Sequence, residues 1–549
     1  MLAAELAYRA FGGTAQPITL ALEEITQSGN VTGAAIAPDG RSIAYITGMG
    51  GRSRLWLRNL DGNSPEIAAD TEEAEFQNPI FSPDGGSLYY GVRRAGTPPR
   101  IYRRDLGAAR AESILSDAEG PISLSPDQRS LVFMRRTRWF TDILQSDPDG
   151  RNITRLFTKA RPDRVIDCAL SNGKHLACWV ELAAAGRHLQ LIAIDTAGQR
   201  EDVLLRRWPV GPVAPSVVWS GDGSLLIAAN DESRDHSQVF RVSYPGGAVS
   251  RVTNDLSDYA ALSIDRAGHR LVALKRQVSS HLWAGSVDGP GLRQVSSGAG
   301  RYQAPVFRAD GKLLAHSNVL SILDPDSVPD PARQPALPDA QEIVPSPNGE
   351  FYVSLAPTDP KASLWRIDAA SGATKPLIED CTATGPSISS DSRWVAYSAM
   401  AGNDLALFRV PASGGKQERI SRVFGLTAPV YSPDGRWIAA WQEPETSSRP
   451  RILFLLHAAT GEVARQFPLP EAANQRVAWT MGSQAIVFAQ HGPDGDNLWK
   501  LSLDSGQPVR LTDFEQDRIF SFSVSPGGNQ VALARGNVFA DAVLFRSEW

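Results

Sequence analysis

Arginines in three short segments are the part of this sequence with the clearest chemical potential. A guanidinium group binds carboxylate and phosphate groups through paired hydrogen bonds. Trp139 and Phe140 follow the third segment directly, and an aromatic ring beside arginines is typical of binding hot spots. We therefore predict a surface that favours an anionic partner; the alternative is that the arginines are solvated and paired with nearby acids such as Asp142. The eight arginines are Arg52, Arg54, Arg93, Arg94, Arg100, Arg135, Arg136 and Arg138.

Metal-binding chemistry has one weak candidate. Asp324, Asp326 and Asp330 place three carboxylates in a short span, but the span lacks the glycine at the tight turn and the closing glutamate of a calcium loop. The eight histidines include no His-Glu-x-x-His, and no Cys-x-x-Cys is present. We therefore predict neither a metal site nor a cofactor.

Catalytic motifs are missing from the sequence. A hydrolase of the nucleophile-elbow type needs Gly-x-Ser-x-Gly, and a protein kinase needs a glycine-rich loop, His-Arg-Asp and Asp-Phe-Gly; none of these occurs. Repeated hairpins, described below, use up residues 18–546. We therefore predict that the chain is not an enzyme and has no catalytic residues, with a catalytic site carried by loops as the alternative.

Length and charge narrow the class of protein. A chain of 549 residues, 42% of them hydrophobic, has material for more than one core. A formal net charge of -5 argues against a nucleic-acid partner. The chain has no apolar run long enough for a membrane-spanning helix. Residues 1–17 lack the pattern of a signal peptide, and we expect an N-terminal stub or a short helix there.

Three cysteines are too few for a disulfide framework. Cys168 and Cys178 lie on the two arms of one predicted hairpin, so their side chains are expected to come close. Two buried free thiols are the expected state, and a disulfide between them is the alternative.

One hairpin signal, clearest at Ala35–Ile46, organises the chain. Pro38 presets the backbone for a turn, Asp39 bonds its own backbone two residues on, and Gly40 takes the left-handed conformation. Apolar runs flank the turn on both sides. About twelve copies recur along the chain at the roughly 40 to 50 residues typical of propeller blades.

The repeats predict an all-β fold of tandem β-propellers. Each repeat has four strands, and about twelve four-stranded blades exceed the four to eight that are usual in one ring. We therefore predict two rings of about six blades, at residues 18–298 and 299–549, in a monomer. The last repeat ends after its third strand, Asp541–Arg546, and a lone strand, Ile18–Gln27, precedes the first repeat. This lone strand is expected to complete a blade that is left open elsewhere, because propellers avoid free edges.

The two faces of each ring differ in their loops. The short, regular turns all fall on one face, and the opposite face carries loops of variable length and composition. We call the second one the loop face; variable loops on a rigid scaffold are where binding residues tend to lie. Residues just before each first strand surround the channel mouth on that face and are candidates for a central ligand. They are Arg164, Asp258, Tyr259, Arg301, Tyr302, Arg476 and Arg518.

The repeats resemble the WD-like propeller repeats of the TolB type, which also form the propeller of prolyl-oligopeptidase-type serine peptidases. The resemblance rests on Ser-Pro-Asp-Gly hairpins followed by strands that end in Leu-Asp-Gly. More specifically, Asp496–Phe545, Ile25–Ile46 and Pro468–Thr480 resemble the C-terminal sensor region of bacterial membrane-anchored serine/threonine protein kinases. That resemblance implies an extracytoplasmic, periplasmic location. This chain lacks the kinase domain and the membrane span of that family, so kinase activity is not carried over.

Three functions fit these features. The first is a non-catalytic sensor or interaction scaffold that binds a protein, peptide or other ligand on the loop face. The second is a TolB-like scaffold in an envelope complex. The third is a propeller related to prolyl-oligopeptidase-type peptidases without its hydrolase domain. The predicted binding residues of the first ring are Arg93, Arg94, Arg135, Arg136, Arg138 and Trp139, together with the channel-mouth residues.

Overall fold

The regular elements of the structure, a computed structural model, are strands apart from one turn of 3-10 helix at Met481–Ser483. Among the described residues, no helix is long and apolar enough to cross a lipid bilayer. The structure describes residues 21–546 apart from 50–51, 63–66, 70–73, 109, 172–173, 184–186, 197–199, 232–235, 288–290, 297–299, 317–319, 326–340, 356–361, 380–381, 447–448, 450, 471–472 and 493–494.

The first ring contains six antiparallel blades, whose first strands contact one another in a closed cycle. The chain starts with β1 (Ala21–Glu24). Five four-stranded blades follow: β2 (Val31–Ile36), β3 (Ser42–Met49), β4 (Arg52–Asn59), β5 (Ile67–Ala69); β6 (Glu75–Phe81), β7 (Ser87–Arg93), β8 (Arg100–Asp105), β9 (Glu112–Ser116); β10 (Glu119–Leu124), β11 (Leu131–Arg136), β12 (Phe140–Ser146), β13 (Thr154–Ala160); β14 (Arg164–Leu170), β15 (His175–Leu182), β16 (His188–Asp195), β17 (Glu201–Trp208); β18 (Ser216–Trp219), β19 (Leu225–Asn230), β20 (Ser237–Val242), β21 (Val249–Arg251). The sixth blade begins with β22 (Asp258–Ile264) and β23 (Arg270–Ser286).

The second ring repeats the plan, with one blade of three described strands and the others of four. After β24 (Arg293–Gln294) come five blades: β25 (Gln303–Phe307), β26 (Leu313–His316), β27 (Leu320–Leu323); β28 (Gln341–Pro345), β29 (Phe351–Leu355), β30 (Ala362–Asp368), β31 (Thr374–Glu379); β32 (Thr384–Ile388), β33 (Trp394–Ala401), β34 (Asp404–Pro411), β35 (Glu418–Arg419); β36 (Leu426–Tyr431), β37 (Trp437–Gln442), β38 (Ile452–His457), β39 (Val463–Pro468); β40 (Ala473–Trp479), β41 (Ala485–Gln490), β42 (Asn497–Ser502), β43 (Pro508–Arg510). The chain ends with β44 (Arg518–Val524) and β45 (Gln530–Arg546). The predicted fold, tandem propellers of about twelve blades in two rings, is confirmed.

Hydrogen bonds within the repeated turn explain why the motif recurs. The Ser82 hydroxyl donates to Asp84 Oδ1 at 2.5 Å and accepts from the Ser87 amide at 2.8 Å. The hydrogen bond from Ser82 holds the pKa of Asp84 below its usual value. Gly85 has φ +75°, in the left-handed region that residues with a Cβ disfavour. The turn thus fixes each first-to-second strand connection through side chains of its own.

Side chains of the first strands link neighbouring blades. The Ser123 hydroxyl accepts from the Leu170 amide of the next blade at 2.9 Å. The Ser263 hydroxyl of the sixth blade accepts from the Ile36 amide of the first blade at 3.1 Å. Each first strand is an edge strand of its sheet, so every second amide points away from the neighbouring strand and can bond to the next blade. These hydrogen bonds close the first ring around its channel.

Two strands of 17 residues each join the rings. β23 and β45 pair along their full length, from Arg270 opposite Arg546 to Ser286 opposite Gln530. One half of this ribbon lies between β22 and β1 in the first ring, and the other half lies between β44 and β24 in the second. Each strand is therefore the second strand of one blade and the third strand of another.

The N-terminal strand completes the sixth blade of the first ring. β1 pairs with the C-terminal end of β45, so the first and last described segments of the chain lie side by side. The expectation that a lone N-terminal strand completes an open blade is confirmed. The predicted domain bounds, 18–298 and 299–549, do not account for the strands that the rings share, because the last part of β45 belongs to the first ring. In the first blade a segment with glycines, Thr47–Arg54, connects the second and third strands, whereas Lys275–Ser280 contains neither glycine nor proline.

The ribbon sets the two loop faces opposite each other. β23 leaves the first ring at Arg276, which pairs with Asp258 at the start of a first strand. β45 leaves the second ring at Gly536, which pairs with Arg518 at the start of another first strand. First strands begin at the loop face. The loop face of each ring is therefore turned toward the other ring.

Apolar side chains between adjacent blades form the cores. Ile46 and Leu55 of the first blade pack against Leu88 and Tyr90 of the second, and all four are buried. The ribbon has a core of its own, in which Leu544, which is fully buried, packs with residues of β2 and β23. Each blade is therefore stabilised mainly by its two neighbours.

The structure corrects the expected state of two cysteines. Cys168 on β14 and Cys178 on β15 are directly opposed in register, with their Cα atoms 4.2 Å apart. They form a disulfide with an S–S distance of 2.08 Å. The expectation of two free thiols is wrong, because register pairing brings the two Sγ atoms together.

The shared ribbon predicts that damage to it weakens both rings. We expect Leu544→Ala to lower the free energy of unfolding by about 2 to 4 kcal/mol, the cost typical of a cavity left by a buried leucine. Hydrogen exchange should become faster in peptides of both rings, because the ribbon supplies a blade to each. Val509→Ala, at a side chain that is 62% exposed, is the control and should have little effect. Unchanged protection in the second ring would contradict cooperative unfolding.

Candidate ligand-binding chamber

A large cavity lies in the channel of the first ring and reaches the second ring. Its volume is about 1560 Å³. The first strands of all six blades of the first ring line it. Gly495, Glu515, Gln516 and Arg518 of the second ring close part of its loop-face end. We call this cavity the chamber.

Both polar and apolar side chains line the chamber wall. Thr32 and Gln77 line it near the loop face, whereas Ile80, Ile122 and Val218 line it further along the channel. Apolar walls with a small number of polar groups are typical of ligand pockets. The chamber therefore offers contacts to a ligand that has both kinds of surface.

Asp167 is the acid at the centre of the chamber wall. Its Oδ2 accepts from the Val217 amide of the next blade at 2.9 Å. Burial raises its pKa to about 7, and the hydrogen bonds from backbone amides and the charge of Arg136 oppose this shift only in part. Asp167 thus links two blades and is a carboxyl that changes charge near neutral pH.

Two predicted arginines face the chamber at its loop-face end. Arg136 Nη1 lies 3.7 Å from Glu119 Oε2, and its Nη2 donates to the Val165 carbonyl at 3.3 Å. Burial lowers the pKa of Arg136, Glu119 opposes the shift, and Arg164 and Arg93 add to it. Arg164 donates to Glu181 at 2.8 Å. These side chains form one positively charged wall.

Arg518 and Arg276 extend this positive charge to the side of the ribbon. Arg518 Nη1 lies 3.1 Å from Asp496 Oδ1, next to His491. Arg276, which is half-buried, has no ion-pair partner among the described residues. Burial lowers the pKa of Arg276, while Asp258 opposes the shift. Both arginines line the chamber.

A contact between the rings lies across the chamber from the ribbon. Arg138 Nη2 lies 2.9 Å from Asp404 Oδ2, and the Trp139 indole N–H donates to the same oxygen at 3.2 Å. The Arg138 and Asp404 side chains are only 10% and 14% exposed. Arg161 also pairs with Glu443 at 2.6 Å. We call these contacts the clasp, because together with the ribbon they hold the loop faces together.

The clasp corrects the predicted position of the arginine and tryptophan hot spot. Arg138 and Trp139 contact the second ring, so they are not on an open surface. Arg135 pairs with Asp117 at 3.3 Å and lies outside the chamber wall. Arg54, Arg94 and Arg100 are exposed and Arg93 is half-buried. The second ring therefore covers Arg138 and Trp139, and binding of an anionic partner by the other arginines stays a prediction.

The channel-mouth residues take two kinds of position. Arg164 and Arg518 line the chamber. The other five do not line it. Asp258 is buried, pairs with Arg301 and accepts from the Ser237 amide, and the Tyr259 hydroxyl donates to Asp255 at 2.7 Å. Tyr302 packs at the start of the second ring, and Arg476 is half-buried on β40. Ligand binding by any of these residues stays a prediction.

Sequence reasoning missed Asp167, Arg276 and Arg161. Asp167 could have been recognised in the sequence, because it places a carboxylate inside an otherwise largely apolar first strand. Arg276 lies in Lys275–Ser280, the segment without glycine or proline. Its position in the chamber wall depends on the ribbon, which the sequence did not predict. Arg161 is important only because Glu443, in the other ring, lies next to it. Among the described residues, no group of three or more His, Cys, Asp and Glu side chains is placed to hold a metal ion.

Breaking the clasp should lower the free energy of unfolding. We expect Asp404→Ala to destabilise the protein by about 3 to 5 kcal/mol, because it leaves the buried Arg138 without a counter-ion. Asp513→Ala is the matched control, since its carboxylate also pairs with an arginine but is 88% exposed. Urea unfolding measures both. Equal effects of the two substitutions would contradict a structural role of the clasp.

Asp167 should make stability depend on pH. Its pKa is higher in the folded state than in the unfolded state, so the folded protein loses stability as pH rises from about 4 through about 7. Relative to Asp167→Asn, which keeps an acceptor for Val217, the wild type should lose about 2 to 4 kcal/mol over that range. Asp84→Asn is the control; the lowered pKa of Asp84 predicts a slope of the opposite sign. Parallel stability curves for wild type and Asp167→Asn would refute the prediction.

Comparisons with known proteins give similarity of fold. No protein-family model matches the chain, and no curated protein matches it. Similar solved structures include a TolB, described as putative, from Agrobacterium tumefaciens, 18% identical, with a TM-score of 0.38 over 50% of this chain and 99% of that chain. The tricorn protease is 12% identical, with a TM-score of 0.36 over 94% of this chain and 61% of that chain. An oligogalacturonate lyase in complex with manganese is 13% identical, with a TM-score of 0.30 over 70% of this chain and 98% of that chain.

At these identities the similarity extends to the fold only. The propeller architecture rests on the strand pairing described above, and these proteins are similar to it. The resemblance to kinase sensor regions stays a prediction. The chain folds as a tandem β-propeller.

Proposed function

We propose that this chain is a non-catalytic scaffold that holds a ligand in the chamber between its two rings. The chamber is the observation that supports the proposal. Its wall combines apolar side chains, backbone groups and arginines on strands that are fixed at both ends by turns and inter-blade hydrogen bonds. A rigid wall reduces the entropy that binding costs.

The position of the loop faces favours an enclosed ligand over a partner that covers a whole face. In the first ring, Arg138, Trp139 and Arg161 contact the second ring. A folded partner protein on this face would have to displace the clasp. A small molecule or an extended segment would not.

The chemistry of the wall supports binding rather than catalysis. Ser123, Ser216 and Ser263 line the chamber, but their hydroxyls accept hydrogen bonds from backbone amides of neighbouring blades. Among the described lining residues, none is a histidine that could serve as their base. Asp167 is held by the Val217 amide. These groups support the ring instead of forming a nucleophile with its base.

The disulfide is an indication of the compartment in which the protein functions. Disulfides persist in oxidising compartments and are rare in the cytosol. The Cys168–Cys178 bond therefore fits the extracytoplasmic location that the kinase-sensor resemblance implies.

A blocked channel tests the proposal. Val218→Trp places a large side chain in the chamber, whereas Val509→Trp adds the same side chain at an exposed site. The wild type and both variants are equilibrated by dialysis with a small-molecule and peptide extract, and bound compounds are identified by mass spectrometry. We expect one or more compounds to be retained by the wild type and by Val509→Trp and to be lost, by about tenfold or more, in Val218→Trp.

Two results would contradict this function. One is equal retention by Val218→Trp at an unchanged melting temperature, which would place binding outside the chamber. The other is turnover of peptides or esters by the purified chain, abolished by a substitution at a lining residue, which would make the site catalytic.

A further inference from the structure

In the first ring, nearby carboxylates only partly neutralise the charges of the chamber arginines Arg136 and Arg164. The distance between Arg136 Nη1 and Glu119 Oε2, 3.7 Å, is longer than a charge-assisted hydrogen bond. Arg164 shares Glu181 with Arg187, so one carboxylate serves two guanidinium groups. The wall formed by β11 and β14 therefore carries excess positive charge.

The two arginines on the ribbon side of the chamber, Arg518 and Arg276, are also incompletely neutralised. Arg518 shares Asp496 with His491, and the other oxygen of Asp496 accepts from the Ile519 amide at 2.9 Å. Arg276 has no ion-pair partner among the described residues, and nearby Asp258 is already bound by Arg301.

Partial burial makes this arrangement less favourable when no anion is bound: the side chains of Arg136, Arg164 and Arg518 are 41%, 47% and 45% exposed, and Arg276 is half-buried. A buried charge is costly unless a counter-ion or hydrogen bonds compensate it. Burial lowers the pKa of Arg136 and of Arg276, which shows that the surroundings disfavour their charge. Among the described lining residues, five arginines face three acids; three of the arginines also pair with acids that do not line the chamber, which leaves Arg136 and Arg276 the least neutralised. One of the three acids is Asp167, whose pKa of about 7 leaves it partly neutral.

We propose that the loop-face end of the chamber binds a multivalent oxyanion, with two or more carboxylate or phosphate groups, through Arg136, Arg164 and Arg276 of the first ring and Arg518 of the second. The four arginines come from β11, β14, β23 and β44, so a single small anion with one charged group reaches only some of them. Guanidinium groups bind carboxylate and phosphate alike through paired hydrogen bonds. This inference rests on the proposed function, because it names the class of ligand that the chamber holds. A bound anion would also bridge the two rings.

Calorimetry with defined probes tests the site. Citrate represents the carboxylate source and tripolyphosphate the phosphate source, with acetate at matched ionic strength as the monovalent control. We expect citrate or tripolyphosphate, but not acetate, to bind. Arg136→Gln and Arg276→Gln should each weaken binding by about tenfold, the loss typical of one charge-assisted hydrogen-bonding partner. The affinities of the two probes show which source the site prefers.

Matched variants separate binding from folding. Arg151→Gln removes an arginine whose side chain is 80% exposed and pairs with Asp149 outside the chamber, and it should change affinity less than twofold. Arg276→Lys keeps the charge and should retain part of the binding. Without an anion, Arg276→Gln should be at least as stable as the wild type, because it removes a buried charge that lacks an ion-pair partner.

Several results would overturn the inference. They are equal binding of acetate, no binding of either multivalent probe, or binding that is unchanged in the Arg136→Gln, Arg276→Gln double variant. If the double variant still retains the compounds that Val218→Trp loses, the anion site is wrong and the chamber function stands. If citrate or tripolyphosphate binds through these arginines but no compound from the extract does, the anion site stands and the wider ligand function fails.

Discussion

The pairing of β23 with β45 is the constraint on which the rest of the structure depends. Seventeen consecutive residue pairs cross from one ring to the other, so the two middle strands of each closing blade belong to segments that continue into the other ring. A propeller without its closing blade exposes two sheet edges, which is unfavourable because the edge groups lose their hydrogen-bond partners. Closure of one ring therefore depends on strands that the other ring shares, and we expect the two rings to unfold together.

This ribbon also fixes where a ligand can bind. Because β23 and β45 leave their rings at the loop faces, those faces meet, and the first-ring channel ends against loops of the second ring. The clasp of Arg138, Trp139 and Asp404 holds the opposite side. Loops that would form an open surface on a single propeller instead form the end of an enclosed chamber.

Enclosure changes the energetics of the charges. On an open surface, water would screen the chamber arginines, and their ion pairs would contribute little. In the chamber, Arg136 and Arg276 are partly removed from water and have incomplete or no pairing with carboxylates. The same surroundings favour the neutral form of Asp167, so acids of the wall compensate the arginines less than their number suggests. An anionic ligand would supply the missing charge.

The sequence by itself determined the blades, because each turn is encoded locally: Ser82, Asp84 and Gly85 make their turn with contacts inside six residues. It also determined the number of rings and the lone N-terminal strand, through the count of repeats and the open last repeat. Only the tertiary structure decided how the rings share strands, which side chains reach the chamber, and that Cys168 and Cys178 are bonded. The first two features depend on contacts between residues far apart in the chain, such as Arg138 with Asp404 and Arg270 with Arg546. The disulfide depends on the register of the hairpin, which places Cys168 directly opposite Cys178. No local pattern specifies which distant carboxylate an arginine meets, so the sequence placed arginines near the loop face but could not separate those of the clasp from those of the chamber.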